Sequence, residues 1–109
     1  MKKVYIASPY TYGDVGENVK RQIDAAETLI SEGYAPYVPI YYHFQHIAHP
    51  HGYETWMKLC FEWVKTCDAL VRLEGLSKGA DREVELAKEN NIPVFYSLYE
   101  FMEHEYLNR

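Results

Sequence analysis

Short apolar segments alternate with longer stretches of helical spacing along the whole of this 109-residue chain. Each apolar segment is too short for a helix and is bounded by proline, glycine or polar residues, which is typical of buried strands. Strands that alternate with helices form parallel sheets, because each helix carries the chain back to the same end of the sheet. We predict strands over residues 3–8, 34–38, 68–73 and 92–96, and helices over residues 14–33, 53–66, 79–90 and 97–107.

The fold predicted from this alternation is a small, doubly wound α/β domain of about four strands. Right-handed crossovers favour the strand order 2-1-3-4, in a mostly parallel sheet with helices on both faces, as in flavodoxin-like and Rossmann-like folds. No repeat, linker or low-complexity segment is visible, so residues 1–109 are expected to form one domain. Ligands of such folds bind where the strand order reverses, beyond the carboxyl ends of strands one and three. Ser8, Pro9 and Tyr10 follow strand one, and residues 74–77 follow strand three.

The helices carry signals for their ends and for their buried faces. Asp14 and Glu17 have capping-box spacing at the start of the first helix, and Gly33 is placed to end it. The face of this helix predicted to be buried carries Val19, Ile23, Ala26 and Ile30. In the second helix, the side chains predicted to point inward are Trp56, Cys60, Trp63, Val64 and Cys67. Residues 40–52, which contain Pro50 and many histidine and aromatic residues, are predicted to be a loop.

Composition excludes several classes of partner. The net charge is −5 and the 11 basic residues are scattered, which argues against binding to duplex nucleic acid. No apolar run reaches the roughly 18 residues that a membrane span needs, and no signal peptide is recognised, so we expect no membrane partner and a cytoplasmic location. The glycine patterns of ATP-binding and NAD-binding loops are missing, and no cofactor is expected.

Cys60 and Cys67 lie seven residues apart on one side of a predicted helix, so they cannot bridge each other and are expected in the core.

One motif connects the predicted third strand to chemistry. Ser77, Gly79, Glu83 and Ala87 follow the strand with the spacing Ser-x-Gly-x-x-x-Glu-x-x-x-Ala. Glu83 and Ala87 are four residues apart and therefore share one helix face, where the small alanine leaves room beside the acid. Gly79 permits a close approach of the backbone to a ligand. A carboxylate at the mouth of an α/β crevice is a candidate catalytic group, although a solvated helix residue with Ser77 as an ordinary N-cap has the same pattern.

Tyrosine and histidine are unusually frequent in the predicted loops. Aromatic residues make up 16% of the chain, and 11 of them are tyrosines. Their amphipathic rings suit a stacking pocket or a subunit interface, but small domains also use tyrosine to cover a core. The tyrosines expected at loops and strand ends are Tyr10, Tyr12, Tyr34, Tyr37, Tyr41, Tyr42 and Tyr53. Four histidines, His43, His46, His49 and His51, lack the fixed geometry and interleaved ligands of a zinc motif, so we expect no metal and consider them pocket or plain loop residues.

Several segments together resemble the nucleoside 2-deoxyribosyltransferase superfamily, which includes 2′-deoxynucleoside 5′-monophosphate N-glycosidases and short bacterial and phage relatives. They are Lys3-Val-Tyr-Ile-Ala-Ser-Pro-Tyr, Glu32-Gly33 before a strand that ends at Pro39, Cys67-Asp-Ala-Leu-Val, the Ser77–Ala87 motif and Ile92-Pro-Val. The resemblance extends to about Tyr96. It implies cleavage or exchange of the N-glycosidic bond of a deoxynucleoside or its monophosphate.

The resemblance also implies roles for individual residues. Glu83 would attack the anomeric carbon, and Tyr5 would hydrogen-bond and position it. Ser77 and Gly79 would contact the phosphate or sugar, with Ser77 favouring a nucleotide because the nucleotide hydrolases carry Ser there. Ser8 could reach the ligand as a strand-end hydroxyl, and Tyr10 and residues 41–44 would stack on the base. Members of the superfamily build their sites at subunit interfaces, which implies a homodimer or a larger homo-oligomer.

One position departs from the superfamily. Its catalytic Asp lies eight residues before the Asp that opens strand three, and that position is Cys60 in this chain. A thiol does not donate a proton as a carboxylic acid does, so help to the leaving base would come from His43 or His46, or would be missing. The alternatives to an enzyme are a nucleotide-binding module without catalysis and an interaction protein with the same fold. Arg21 and Arg82 are candidate phosphate partners, or members of ordinary salt bridges.

Overall fold

The computed structural model describes residues 1–11 and 13–109; Tyr12, in the predicted loop after strand one, lies outside them. Its helices and strands follow one another in the predicted alternation. In chain order they are β1 (Lys3–Ala7), α1 (Val15–Ser31), β2 (Ala35–Tyr37), a 3₁₀ turn (Pro39–Tyr42), α2 (His43–Ala48), α3 (Tyr53–Thr66), β3 (Ala69–Arg72), α4 (Lys78–Glu89), β4 (Val94–Phe95) and α5 (Leu98–Leu107). Among the described residues, no helix has the length and apolarity needed to cross a bilayer.

The sheet has the predicted topology. Its four strands are parallel and ordered β2-β1-β3-β4, so the expected small doubly wound α/β architecture is confirmed. Tyr5 pairs in register with Tyr37 on β2 and with Leu70 on β3. The strands are shorter than predicted, and β4 contains only two residues. The carboxyl ends of β1 and β3 lie side by side, which brings their following loops together.

The alternation of side chains along β1 divides the interior into two cores. Val4 and Ile6 point to one face, where they pack with Leu29 of α1 and Phe101 of α5. Tyr5 and Ala7 point to the other face, towards α3 and α4; the core residues there include Cys60, Val64, Cys67, Leu70, Ala80, Val84 and Ala87. Both cysteines are free and buried, as expected. The two faces therefore differ in chemistry, because only the second includes polar groups of the motif.

The predicted buried face of α1 is correct for Ala26, which is buried, and wrong for its two isoleucines. Ile23 and Ile30 are 52% and 54% exposed. The stripe that faces the sheet carries Asn18, Gln22, Ala25, Ala26 and Leu29. Two small alanines let the helix lie close to β1, and the side-chain amides of Asn18 and Gln22 donate to the carbonyls of Tyr10 and Pro9. The predicted ends of this helix are close to those observed: Asp14 accepts a hydrogen bond from the Glu17 N–H, and Gly33 follows the helix with a φ of 89°.

The prediction of a loop over residues 40–52 is also wrong in part. Residues 39–48 form the 3₁₀ turn and α2, which are held by side chains of α3. The Trp63 indole N–H donates to the Tyr42 hydroxyl at 2.6 Å, and the Trp56 indole N–H donates to His46 Nδ1 at 2.7 Å. The bounds of α3 itself are as predicted. Trp63, however, is 44% exposed rather than inward, because it stacks on Tyr37 at the sheet edge.

Candidate active site

A cavity of about 550 Å³ lies beyond the carboxyl ends of β1, β2 and β3 and is covered by α3. Six residues predicted from the sequence as site residues line it: Ser8, Tyr10, His43, Ser77, Gly79 and Glu83. The seventh, Tyr5, is fully buried on β1 and contacts Glu83 through its hydroxyl. The structure thus brings together all seven residues from three separate segments of the chain, residues 5–10, 43 and 77–83.

Glu83 lies in the second turn of α4 and is only 4% exposed. The Tyr5 hydroxyl donates a hydrogen bond to its Oε2. Burial raises the pKa of Glu83 to about 7, although the Tyr5 hydrogen bond and the positive charges of Arg72 and Arg82 oppose this shift. Close to neutral pH the carboxyl therefore exchanges between its acid form and its nucleophilic form.

The turn between β3 and α4 is organised by Arg72, the last residue of β3. Its guanidinium is buried and donates to the backbone carbonyls of Leu73 and Gly75 and, at 3.0 Å, to Asp81 Oδ1. Gly75 has a φ of 119°, and a Cβ there would lie 2.8 Å from Pro9 Cγ. This position therefore requires glycine, and the turn packs directly against the segment that follows β1.

The start of α4 opens onto the cavity. Ser77 is the N-cap, and its Oγ accepts a hydrogen bond from the Ala80 N–H at 3.0 Å, which leaves its own hydroxyl proton available to a ligand. Gly79 lines the cavity, but a Cβ on it would meet Tyr53 Oη at 3.2 Å and Met57 Sδ at 3.4 Å. The absence of a side chain at Gly79 thus lets α4 pack closely against α3.

Cys60 of α3 lies beside the carboxyl group. Its thiol is within hydrogen-bonding reach of Tyr5, and burial together with the negative charge of Glu83 raises the pKa of Cys60 to about 12. The thiol is therefore protonated at physiological pH and is a poor nucleophile. Among the described residues that line the cavity, Glu83 is the only carboxylate.

Histidine and aromatic side chains form another wall of the cavity. The Tyr10 hydroxyl lies 2.7 Å from His43 Nδ1, which ties the segment after β1 to α2. His46 Nδ1 accepts the indole N–H of Trp56 and, at 3.3 Å, the backbone N–H of His51. His43, His46 and His51 line the cavity, and His49 does not. No group of three or more His, Cys, Asp or Glu suited to a metal occurs within residues 1–11 and 13–109.

Comparisons with known proteins agree with this architecture. A family model described as a domain of unknown function, DUF7768, matches residues 2–97. The chain belongs to the DUF7768 family. A comparison with curated proteins gave no match.

Two solved structures share the fold of this DUF7768 domain. One is the 2-deoxyribosyltransferase of Bacillus psychrosaccharolyticus (TM-score 0.63, 22% identity, 84% of this chain and 69% of that chain covered). The other is the 2-deoxyribosyltransferase of Leishmania mexicana (TM-score 0.64, 19% identity, 89% and 65% covered). The chain thus spans about two thirds of the length of each. The resemblance seen in the sequence motifs is confirmed at the level of the fold.

The two candidate phosphate partners of the DUF7768 domain are engaged elsewhere. Arg82 forms a two-pronged ion pair with Glu54, at 2.7 and 2.9 Å, and joins α4 to α3. Arg21 donates to the backbone carbonyl of Glu74 at 2.9 Å. Neither arginine lines the cavity, so the salt-bridge interpretation is correct for Arg82.

Sequence reasoning missed several residues of the cavity wall. Tyr53, Trp56, Met57 and Lys78 line it, and so does Gln22 of α1. The helical spacing of Gln22 could have revealed it. Gln22 lies four residues after Asn18 and three before Ala25, and therefore shares the face of α1 that packs on the sheet. The sequence prediction chose the face that carries the larger isoleucines instead.

Proposed function

We propose that this protein cleaves or exchanges the N-glycosidic bond of a 2′-deoxynucleoside or its 5′-monophosphate, with Glu83 as the nucleophile. One observation carries the proposal: the Glu83 carboxyl, held by the Tyr5 hydroxyl, is the only carboxylate among the described residues on the wall of an aromatic cavity. The shared fold with two 2-deoxyribosyltransferases supports the same reaction class.

The proposed reaction has two steps. A Glu83 carboxylate oxygen bonds to the anomeric carbon, the bond from that carbon to the base nitrogen breaks, and the base leaves with the electron pair and takes up a proton. Water or a second base then attacks the same carbon and releases the carboxylate. Tyr5 donates to the carboxylate throughout and keeps it oriented.

The size and lining of the cavity support a nucleoside-sized ligand. A volume of about 550 Å³ lies within the usual range of roughly 300–1,000 Å³ for small-molecule sites. Tyr10, Tyr42, Tyr53 and Trp56 present aromatic surface for stacking on a base. Of residues 41–44, which were expected to stack on the base, Tyr41 and Phe44 are exposed and do not line the cavity.

The start of α4 supports a preference for the 5′-monophosphate. The Ala80 N–H is capped by Ser77 Oγ, but the N–H groups of Lys78 and Gly79 have no i−4 carbonyl to bind, and both residues line the cavity with Ser77. Lys78 brings a positive charge and Ser77 a hydroxyl to the same place. Tyr10 and His43 line the cavity away from α4 in the sequence, so a nucleotide would lie with its phosphate at α4 and its base near Tyr10.

Protonation of the leaving base requires a donor other than Cys60. His46 can assist by a hydrogen bond, since Nδ1 accepts two N–H groups and its neutral ring therefore presents Nε2–H to the leaving base, which takes its proton from water. His43 is the second candidate, because it lines the same wall. Loss of general-acid help costs roughly 10²–10⁴ in rate, so this donor decides how fast the reaction is.

A specific observation favours a second function, a nucleotide-binding module without catalysis. Cys60 occupies the position of the superfamily's catalytic acid, and its raised pKa keeps the thiol protonated. The cavity and the start of α4 would be kept for binding in that case, and the bond at the anomeric carbon would remain intact.

The deciding experiment is chromatographic. The protein is incubated with each common 2′-deoxynucleoside and its monophosphate, with and without an acceptor base, and free or exchanged base is quantified. We expect release that is abolished by Glu83→Gln and retained by Glu85→Gln, an exposed acid on the same helix. No release from any substrate, together with a nucleotide-induced rise in melting temperature, would select the binding module.

The assembly and location of the protein belong to the same proposal. Apolar and aromatic side chains are exposed on α1 and α5, among them Ile23, Ile30, Tyr99 and Tyr106. Their exposure supports a homodimer or larger homo-oligomer, acting on a small-molecule substrate in the cytoplasm. Light scattering after size-exclusion chromatography tests the oligomer, and a monomeric mass at all concentrations would contradict it.

A further inference from the structure

We infer that Gln22 recognises the ligand: its side-chain carbonyl accepts a hydrogen bond from an N–H or O–H group of the bound nucleoside. The inference rests on the proposed function for the identity of the ligand. Gln22 lines the cavity but is only 2% exposed, and its Oε1 is a buried oxygen with no hydrogen-bond partner.

The neighbouring backbone sets the orientation of this amide. Gln22 Nε2 donates to the carbonyl of Pro9 at 3.3 Å. A carbonyl can only accept, so rotation of the amide by half a turn would bring two acceptor oxygens together. The nitrogen is therefore committed to Pro9, and the oxygen is the free group. An oxygen acceptor cannot bind a phosphate, so the complementary group is an amine, an amide N–H or a hydroxyl.

The unpaired oxygen is an exception that points to a ligand. Nearly all buried polar atoms in proteins have a partner, because an unsatisfied acceptor has lost its hydrogen bonds to water. Oε1 of Gln22 is the one buried side-chain oxygen or nitrogen without a partner among the described residues. Gln22 lines the cavity, so a small movement of its side chain would present this oxygen to an incoming donor.

Gln22 is also linked to the aromatic wall. It shares the buried stripe of α1 with Asn18, whose Nδ2 donates to the carbonyl of Tyr10 at 3.2 Å. Tyr10 in turn contacts His43. Either of two groups of a nucleoside could donate a hydrogen bond to Oε1 there: a sugar hydroxyl or an N–H of the base. A site with an unpaired acceptor discriminates strongly against analogues that lack the matching donor.

The test is the variant Gln22→Met, which keeps the length of the side chain and removes the amide. Binding of the four common 2′-deoxynucleosides, their 5′-monophosphates and their 2′,3′-dideoxy counterparts is measured by calorimetry in a Glu83→Gln background, which prevents turnover. We expect affinity to fall about 5- to 30-fold, whereas the melting temperature of the ligand-free protein should change little, because the lost hydrogen bond to Pro9 is offset by removal of the unpaired oxygen. Gln45→Met, exposed on α2, is the matched control and should bind as its parent does.

The pattern of losses identifies the donor. If the loss of affinity is equal for the four bases and absent with the dideoxy compounds, the donor is the 3′-hydroxyl. If the loss differs among the bases and persists with the dideoxy compounds, the donor is the base. A lower melting temperature with unchanged affinity would overturn the inference and leave Gln22 a purely structural residue. Binding of none of these compounds to the parent would overturn it as well. If the Glu83→Gln protein binds these compounds but the wild-type protein releases no base from them, only the glycosidase proposal is refuted.

Discussion

Replacement of Glu83 by glutamine should stabilise the protein at alkaline pH much more than at acidic pH. The reason is the burial of the carboxyl group, which raises its pKa to about 7 from an ordinary value of 4.5. Glutamine has nearly the same shape and can still accept the hydrogen bond from Tyr5, but it carries no charge at any pH.

The sign and size of the effect follow from linkage. Between pH 4.5 and pH 7 the folded protein holds a proton on Glu83 that the unfolded chain has released. The free energy of unfolding of the wild type therefore falls as the pH rises through this interval towards 7. The full difference corresponds to about 3 kcal/mol, most of which accumulates between pH 5 and pH 8. The advantage of Glu83→Gln over the wild type should therefore grow by about 2–3 kcal/mol across that interval.

Urea denaturation of both proteins at several pH values measures this difference. Glu85→Gln, an exposed acid two residues along α4, corrects for the general effect of removing one negative charge. An advantage of Glu83→Gln that stays constant from pH 5 to pH 8, after this correction, would refute the reasoning. Glu83 would then be ionised without a penalty in the folded protein.

Three further predictions concern neighbours of the carboxyl group. Tyr5→Phe removes the hydrogen bond that favours the ionised form of Glu83, so the pH of half-maximal base release should rise by about 1, and an unshifted pH–rate profile would contradict this. Arg72→Met leaves the turn before Ser77 without its charged donor and should lower the free energy of unfolding by about 2–3 kcal/mol in urea titrations; a loss below ~0.5 kcal/mol would show that the turn holds without it. Cys60→Asp should raise base release at least about tenfold if the missing acid limits the rate, and unchanged release in a folded variant would exclude that explanation.

The architecture could be predicted because it depends on local patterns. Four apolar segments and their intervening helices determine a parallel sheet, and handedness leaves few strand orders. The topology then brings Ser8 to the same edge as Ser77 and Glu83, although it is far from both in the sequence. The roles of these residues are predictions that the proposed experiments address.

The errors have physical causes that the sequence does not display. Hydrophobic periodicity gives most weight to the large isoleucines of α1, whereas close packing against the sheet buries the small Ala25 beside Ala26, the one residue of the predicted face that is buried. The helical turns of residues 39–48 depend on hydrogen bonds from Trp56 and Trp63, which come from a different helix. The unpaired oxygen of Gln22 depends on where the Pro9 carbonyl lies, which only the folded chain determines.

The alternation of side chains on β1 has a consequence for the evolvability of this chain. Val4 and Ile6 anchor a mostly apolar layer beneath α1 and α5, whereas Tyr5 and Ala7 serve the layer that bears the carboxyl group. Substitutions at the cavity-lining positions Tyr42, His46, Tyr53 and Trp56 can therefore alter what the cavity accepts while the layer beneath α1 and α5 keeps the scaffold folded. A mutant library confined to those four positions would explore new specificities at less risk of unfolding than one that also included Cys60 and Val64, because these two side chains are buried in the second core.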